Sequence, residues 1–214
     1  MRSEKYNFDE YSLIDFENFI DEDKSLKMLE ELQGLEYKFE SQQRHGHYSH
    51  VFKSEDPSMP DETDSFAAQF YTATDREGSK TFNHVFQKNI VSLIKEINPE
   101  IKYFLKPNIV KIKKDCFFRS HNDGYAGDIG YTLFISKRWK WDFGGILTFV
   151  SNAGAKPIFP NNNRLIIRDE KSKPQHFVPP VTKWAGDSEY FLMLGWAAKE
   201  ILGGSKLRGD YLEL

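Results

Sequence analysis

The residues best equipped for chemistry are His121, Asp123 and His176. His121 and Asp123 stand two positions apart, just after a strand-like run, Cys116-Phe117-Phe118. Alternate residues of an extended strand share a face, so both side chains can address one point. His176 follows a second strand-like run, Leu165-Ile166-Ile167. Two imidazoles and one carboxylate form a ligand set that suits non-haem Fe(II) and leaves coordination positions open for other reactants. Neutral imidazole and ionised carboxylate are the forms that bind, so metal affinity should fall as these groups take up protons. A His-x-Asp by itself is also common in plain polar turns, and its surroundings must decide.

Those surroundings are strands. Tyr103-Phe104-Leu105, Ile109-Val110-Lys111-Ile112 and Tyr131-Thr132-Leu133-Phe134-Ile135 have the composition of short strands, and from Lys102 onward such runs dominate. Helical signals come earlier. Asp21 or Asp23 can cap a helix with Leu26, Met28, Leu29 and Leu32 as its apolar stripe and Gly34 as its stop. Phe82, Val85, Phe86, Ile90, Leu93, Ile94 and Ile97 recur at helical spacing over residues 80–98, and Pro99 ends the run. A short strand is expected within residues 6–20, and Leu35-Glu36-Tyr37-Lys38-Phe39 alternates like another. The order predicts one domain over residues 1–214: a helical, lid-forming part over 1–100 and a β core over 101–200. Its fold class is α+β, mainly β, as a double-stranded β-helix (a cupin-like jelly roll) backed by N-terminal helices.

Two loops are candidates for substrate contact. Arg44-His45-Gly46-His47-Tyr48-Ser49-His50 carries three histidines but no cysteine and no matching ligand cluster, which argues against a second metal site. His45, His47 and Tyr48 are instead candidates for the mouth of the site. Residues 54–65 are acidic and proline-bearing, as a mobile lid or a plain solvated connection would be.

Composition excludes several classes. The 214 residues suffice for one domain with a core, and 18 phenylalanines suit a packed fold rich in strands. A net charge of −3 with both signs interspersed marks no broad nucleic-acid surface. No apolar run approaches the ~18 residues of a membrane span, and the N-terminus has no signal-peptide core. With its single cysteine, Cys116, read as an apolar filler, the chain is expected in a reducing cytoplasm. Oligomeric state is not legible.

After Asp123 the chain runs through Trp139, Gly144-Gly145-Ile146-Leu147, Asn163-Arg164-Leu165, His176-x-Val178-x-Pro180-Val181 and Gly195-Trp196. This order resembles the 2-oxoglutarate and Fe(II)-dependent dioxygenases, in particular their prolyl-4-hydroxylase-like branch, over about residues 108–198. The resemblance implies that His121, Asp123 and His176 hold Fe(II). It further implies that 2-oxoglutarate and O2 are consumed to give succinate and CO2, and that a C–H of a small molecule, amino acid or peptidyl residue is hydroxylated. Halogenating relatives replace the carboxylate by a small residue; Asp123 fills that place, which points to hydroxylation.

The cosubstrate pocket departs from the family pattern. Where an Arg or Lys usually holds the far carboxylate of 2-oxoglutarate this chain has Tyr190, and where a Tyr often precedes the first ligand it has Ile112. A buried carboxylate needs a cation. Arg168, at a position the family gives to an inward aromatic, is the expected replacement, with Lys183 second; its plain alternative is an ion pair with Asp169 or Glu170 at the surface. Arg164 is expected to cap its strand. Thr132, Phe134, Leu147, Val178 and Trp196 are expected along the remaining wall. The alternatives to an oxygenase are a binding module on the same fold and a cupin-like metal enzyme that does not use 2-oxoglutarate.

Overall fold

A computed structural model describes residues 2–7, 12–45, 65–123, 127–152, 154–200 and 211–214. In chain order its elements are β1 (Arg2–Asn7), β2 (Ser12–Glu17), α1 (Glu22–Gln33), β3 (Tyr37–His45), β4 (Ser65–Ala73), α2 (Lys80–Val85) and α3 (Val91–Ile97). There follow β5 (Tyr103–Leu105), β6 (Asn108–Ile112), β7 (Phe117–His121), β8 (Ile129–Ser136), β9 (Leu147–Ser151) and β10 (Gly154–Ile158). The last strands are β11 (Arg164–Asp169), β12 (Gln175–Val178), β13 (Tyr190–Ala198) and β14 (Tyr211–Glu213).

The strands form one curled antiparallel sheet. Its path is β1-β2-β11-β8-β13-β6-β4-β7-β12-β9-β10, with β3 added to β4 and with β5 joining β13 to β14. The turn-over point is β4, which pairs with β6 through Tyr71 and Thr72 and with β7 through Ala68 and Gln69. One run of strands thereby faces the other across an apolar interior, in a mainly β, jelly-roll-like arrangement. Residues 1–100, expected as a helical, lid-forming part with short strands within 6–20 and at 35–39, supply four strands, β1 to β4, beside the helices.

Alternation along the strands separates two cores. On β13, Tyr190 and Leu192 point into the interior with Phe134, Ile112, Ile166, Leu147 and Phe149. Phe191 and Met193 point the other way, into a cluster with Tyr131, Leu133 and Leu165 of the sheet and with Met28, Leu32, Phe82, Phe86 and Ile94 of the helical segments. β8 is buried along its whole length because both of its faces are covered.

Helix α1 begins where Asp21 accepts from the Lys24 N–H at 2.9 Å and ends at Gly34. Its buried stripe is Ser25, Met28, Leu29 and Leu32; Leu26, expected in that stripe, is 47% exposed. A π-helical turn at Phe86–Ile90 joins α2 to α3. A π turn holds more residues than an α turn, so it advances the buried face by about one position. Val91 is accordingly buried, while Ile97, placed in the apolar stripe by plain 3.6 spacing, is 39% exposed.

Candidate metal centre

His121 ends β7, His176 lies on β12, and the two are direct cross-strand partners. Their ring centroids are 4.3 Å apart. Asp123 follows β7 by two residues and brings its carboxylate between them. Oδ1 lies 3.8 Å from His121 Nε2, and Oδ2 lies 3.5 Å from His176 Nε2. One ligand atom from each residue falls within a 4.8 Å span, the only such grouping of His, Cys, Asp or Glu among the described residues.

The backbone sets the orientation of both rings. His121 Nδ1 contacts the Arg119 carbonyl at 2.7 Å, and His176 Nδ1 contacts the Pro174 carbonyl at 2.9 Å. A carbonyl can only accept, so each Nδ1 is the N–H donor, which leaves each Nε2 with its lone pair directed at the common point. This arrangement of second partners is the usual one for metal-ligating imidazoles. Burial, with His176 beside it, pulls the pKa of His121 down to about 4. Burial alone would raise the Asp123 carboxyl, but contacts from His176, His121 and Arg168 outweigh it and hold the group well below the usual range. Neutral imidazole and ionised carboxylate are what a divalent metal requires. On donor set and tautomer the three residues fit Fe(II).

A cavity of about 390 Å³ opens onto this point. Of the residues expected along it, Thr132, Leu147, Arg168, Val178 and Trp196 line it. Phe70, Thr72, Asn108, Val110, Leu192 and Leu194 line it as well, together with Glu40. Sequence reading did not single these out. The signal was present in the period-two alternation of β13, which sets Leu192 and Leu194 on the face of Trp196.

Phe134, expected along the wall, and Tyr190, at the usual place of the cosubstrate's cation, are not among the lining residues. Phe134 lies deeper in the interior cluster, and Tyr190 is fully buried there with its hydroxyl donating to the Gly145 carbonyl at 2.5 Å. The partner is a tight turn: Gly144 and Gly145 have φ of 71° and 64°, in the region favourable to glycine, and Trp139 Nε1 donates to the Gly144 carbonyl at 2.8 Å. Position 190 is therefore spent on closing the end of the fold. Lys183, the second choice for a carboxylate anchor, sits exposed on a 3₁₀ turn over the Trp184 ring and is not among the lining residues. His45 belongs to β3. His47 and Tyr48 lie outside the described residues, as does the candidate lid apart from Ser65, which opens β4.

Arg168 does face the cavity, the one cation among its described lining residues. It is 3% exposed, and its Nη2 donates to Asp123 Oδ2 at 3.0 Å and its Nη1 to Thr132 Oγ1 at 2.9 Å. Its Nε donates to Glu170, so a pair with Glu170 forms, but buried in the fold and not at the surface as the plain alternative had it. The guanidinium thus stands at the metal end of the cavity. Burial pushes the Glu170 carboxyl up against the pull of the Arg168 charge. Arg164 is likewise buried, held by Asp15 of β2 and the Phe159 carbonyl.

No described helix is long and apolar enough to cross a membrane. No family model matches the sequence, and comparison with curated proteins finds no match. Solved structures do match. A prolyl hydroxylase from Trichoplax adhaerens, in complex with a hypoxia-inducible-factor peptide, superposes with a TM-score of 0.60 at 14% identity, covering 86% of this chain and 82% of that one. HygX from Streptomyces hygroscopicus, with nickel and 2-oxoglutarate bound, gives 0.59 at 10% identity over 96% of this chain and 93% of that one. A 2OG-Fe(II) oxygenase family protein from Burkholderia pseudomallei gives 0.58 at 11% identity over 88% and 85%. The chain has the fold of the prolyl-hydroxylase-like 2-oxoglutarate and Fe(II) oxygenases.

Proposed function

We propose that this chain is an Fe(II)- and 2-oxoglutarate-dependent oxygenase, a single double-stranded β-helix domain that hydroxylates an unactivated C–H of a small molecule, amino acid or peptidyl residue. The observation that carries this reading is the convergence of His121 Nε2, His176 Nε2 and the Asp123 carboxylate in the lining of the cavity, with both Nδ1 atoms already held by backbone carbonyls. A metal held there would bind the cosubstrate and O2 and supply the oxidising chemistry.

The chain's own residues have separable roles. The Arg119 and Pro174 carbonyls keep each imidazole in the metal-binding tautomer. Arg168, read from the sequence as the holder of the far carboxylate of 2-oxoglutarate, has Nη2 on Asp123, Nη1 on Thr132 and Nε on Glu170, at the metal end of the cavity. Leu147, Val178, Leu192 and Leu194 exclude water around the reacting centre, which strengthens the electrostatic contacts inside. Glu40, Thr72 and Asn108 supply the polar contacts available to a substrate. The lone, buried Cys116 suits a reducing compartment such as the cytoplasm.

The test is succinate formation from 2-oxoglutarate by protein reconstituted with Fe(II), measured with and without a panel of amino acids and peptides. Turnover should require added iron and should vanish in His176→Ala with the circular dichroism unchanged. A second reading has its own support, since the hydroxyl at position 190 is committed to Gly145 and Arg168 is engaged by Asp123. On that reading the protein is a metal enzyme or binding module on the same fold, and the wild type binds iron but forms no succinate.

A further inference from the structure

We infer that Arg168 and Glu170 act as a positioning relay for the metal-ligating carboxylate of Asp123, an inference that rests on the metal reading of the triad. Arg168 is planar, and its three nitrogen atoms address three separate elements. Nη2 reaches Asp123 after β7, Nη1 reaches Thr132 on β8, and Nε reaches Glu170 just beyond β11. A planar group held at three points cannot turn, so the Asp123 oxygen it grips is fixed as well. The grip also offsets a repulsion. Two imidazole lone pairs and a carboxylate lie within 4.8 Å with both ring protons directed outward. The Arg168 charge favours that convergence before any metal arrives.

Glu170 has no other evident use. It is fully buried and does not line the cavity, and its hydrogen-bonded route to the site runs through Arg168. Its own backbone is tied down, its N–H donating to the Asp128 carbonyl at 2.9 Å and its carbonyl accepting from Lys173 N–H at 3.0 Å. Room for the pair is made by Gly130 on β8, where a Cβ would collide with both the Glu170 carboxylate and Arg168 Nε. A buried guanidinium lying between two buried carboxylates is costly to assemble. A position next to a metal ligand gives that cost a purpose.

The test is Co(II) binding to the full chain, read as a dissociation constant and as the visible absorption spectrum of the bound ion, with the thermal midpoint of each metal-free variant as a check on folding. Glu170→Ala should weaken Co(II) binding about ten- to a hundred-fold and change the spectrum, the usual range for loss of an outer partner of a ligand. Glu170→Gln keeps an oxygen for Arg168 Nε and should recover most of the affinity. Should Glu170→Ala fail to fold, Arg168→Lys takes its place; one ammonium cannot reach all three partners, and the same weakening is expected. Wild-type affinity and spectrum in a folded Glu170→Ala or Arg168→Lys protein would overturn the relay. So would Glu170→Gln as weak as Glu170→Ala, because charge alone would then account for the effect. If the wild type itself binds no Co(II), the metal reading of the triad falls first.

Discussion

Replacing Asn163 with Ala should cost the fold about 4 kcal/mol, a sum that can be assembled from the structure. Asn163 precedes β11, the strand that carries Arg168, and is 4% exposed. Its side chain makes a reciprocal pair with the backbone of one residue: Oδ1 accepts from the Ile20 N–H at 2.9 Å, and Nδ2 donates to the Ile20 carbonyl at 2.5 Å. Alanine strands both Ile20 groups, and a buried unsatisfied polar group costs about 1–3 kcal/mol. Asn163 also has a φ of 60°, where Asn is tolerated and a Cβ without a local hydrogen bond costs roughly 1 kcal/mol more. Urea unfolding of wild type, Asn163→Ala and Asn163→Gly would measure this. Gly removes the backbone term but not the stranded pair, so it should be the milder change by up to about 1 kcal/mol. A loss below about 1 kcal/mol in Asn163→Ala, or a more stable Ala than Gly variant, would refute the accounting.

Other consequences are equally accessible. Tyr190→Phe strands the Gly145 carbonyl and should lower stability by about 1–3 kcal/mol while leaving the 2-oxoglutarate requirement unchanged; a higher requirement would make Tyr190 a cosubstrate contact after all. Gly130→Ala should cost about 1–3 kcal/mol by overpacking the Arg168–Glu170 pair and should weaken Co(II) binding, whereas normal binding would show that the pair can shift freely. In chelator, the unfolded chain protonates at His121 near pH 6.5 and the folded chain only at about 4, so the unfolded state binds the extra proton between these values. Stability therefore falls as pH drops through that window, by up to about 3 kcal/mol more in wild type than in His121→Asn; equal losses in the two would remove His121 as the cause.

The parts of the site legible in the sequence were those with short-range grammar. His121 and Asp123 share a strand end, Asp21 caps its own helix three residues on, and Pro99 closes the run of residues 80–98. What stayed hidden depends on partners far along the chain. Arg164 is neutralised by Asp15, which a strand pairing between β2 and β11 brings beside it. The hydroxyl of Tyr190 is satisfied by a glycine turn on another segment, so the missing cation at that position could be noticed but not explained. The π turn at Phe86–Ile90 rotates a helix face in a way that a fixed 3.6 period does not anticipate. Of the four early strands, β2 and β3 were marked by apolar residues in their segments, whereas β1 and β4 were not singled out, and β1 stands at the edge of the sheet.

The cross-strand register of His121 with His176 gives a bound metal a mechanical part to play. An ion shared by the two would clasp β7 to β12 and close the long loop of chain between them. An ion that binds the folded site and not the unfolded chain stabilises the fold by mass action, by about 2.7 kcal/mol when free metal is about a hundred times its dissociation constant. This chain, with its single buried cysteine, has no covalent way to make such a link. Loading the site would then slow the opening of these strands as well as arm it for chemistry. Amide exchange along β7 and β12 would respond to metal even where no reactant is present.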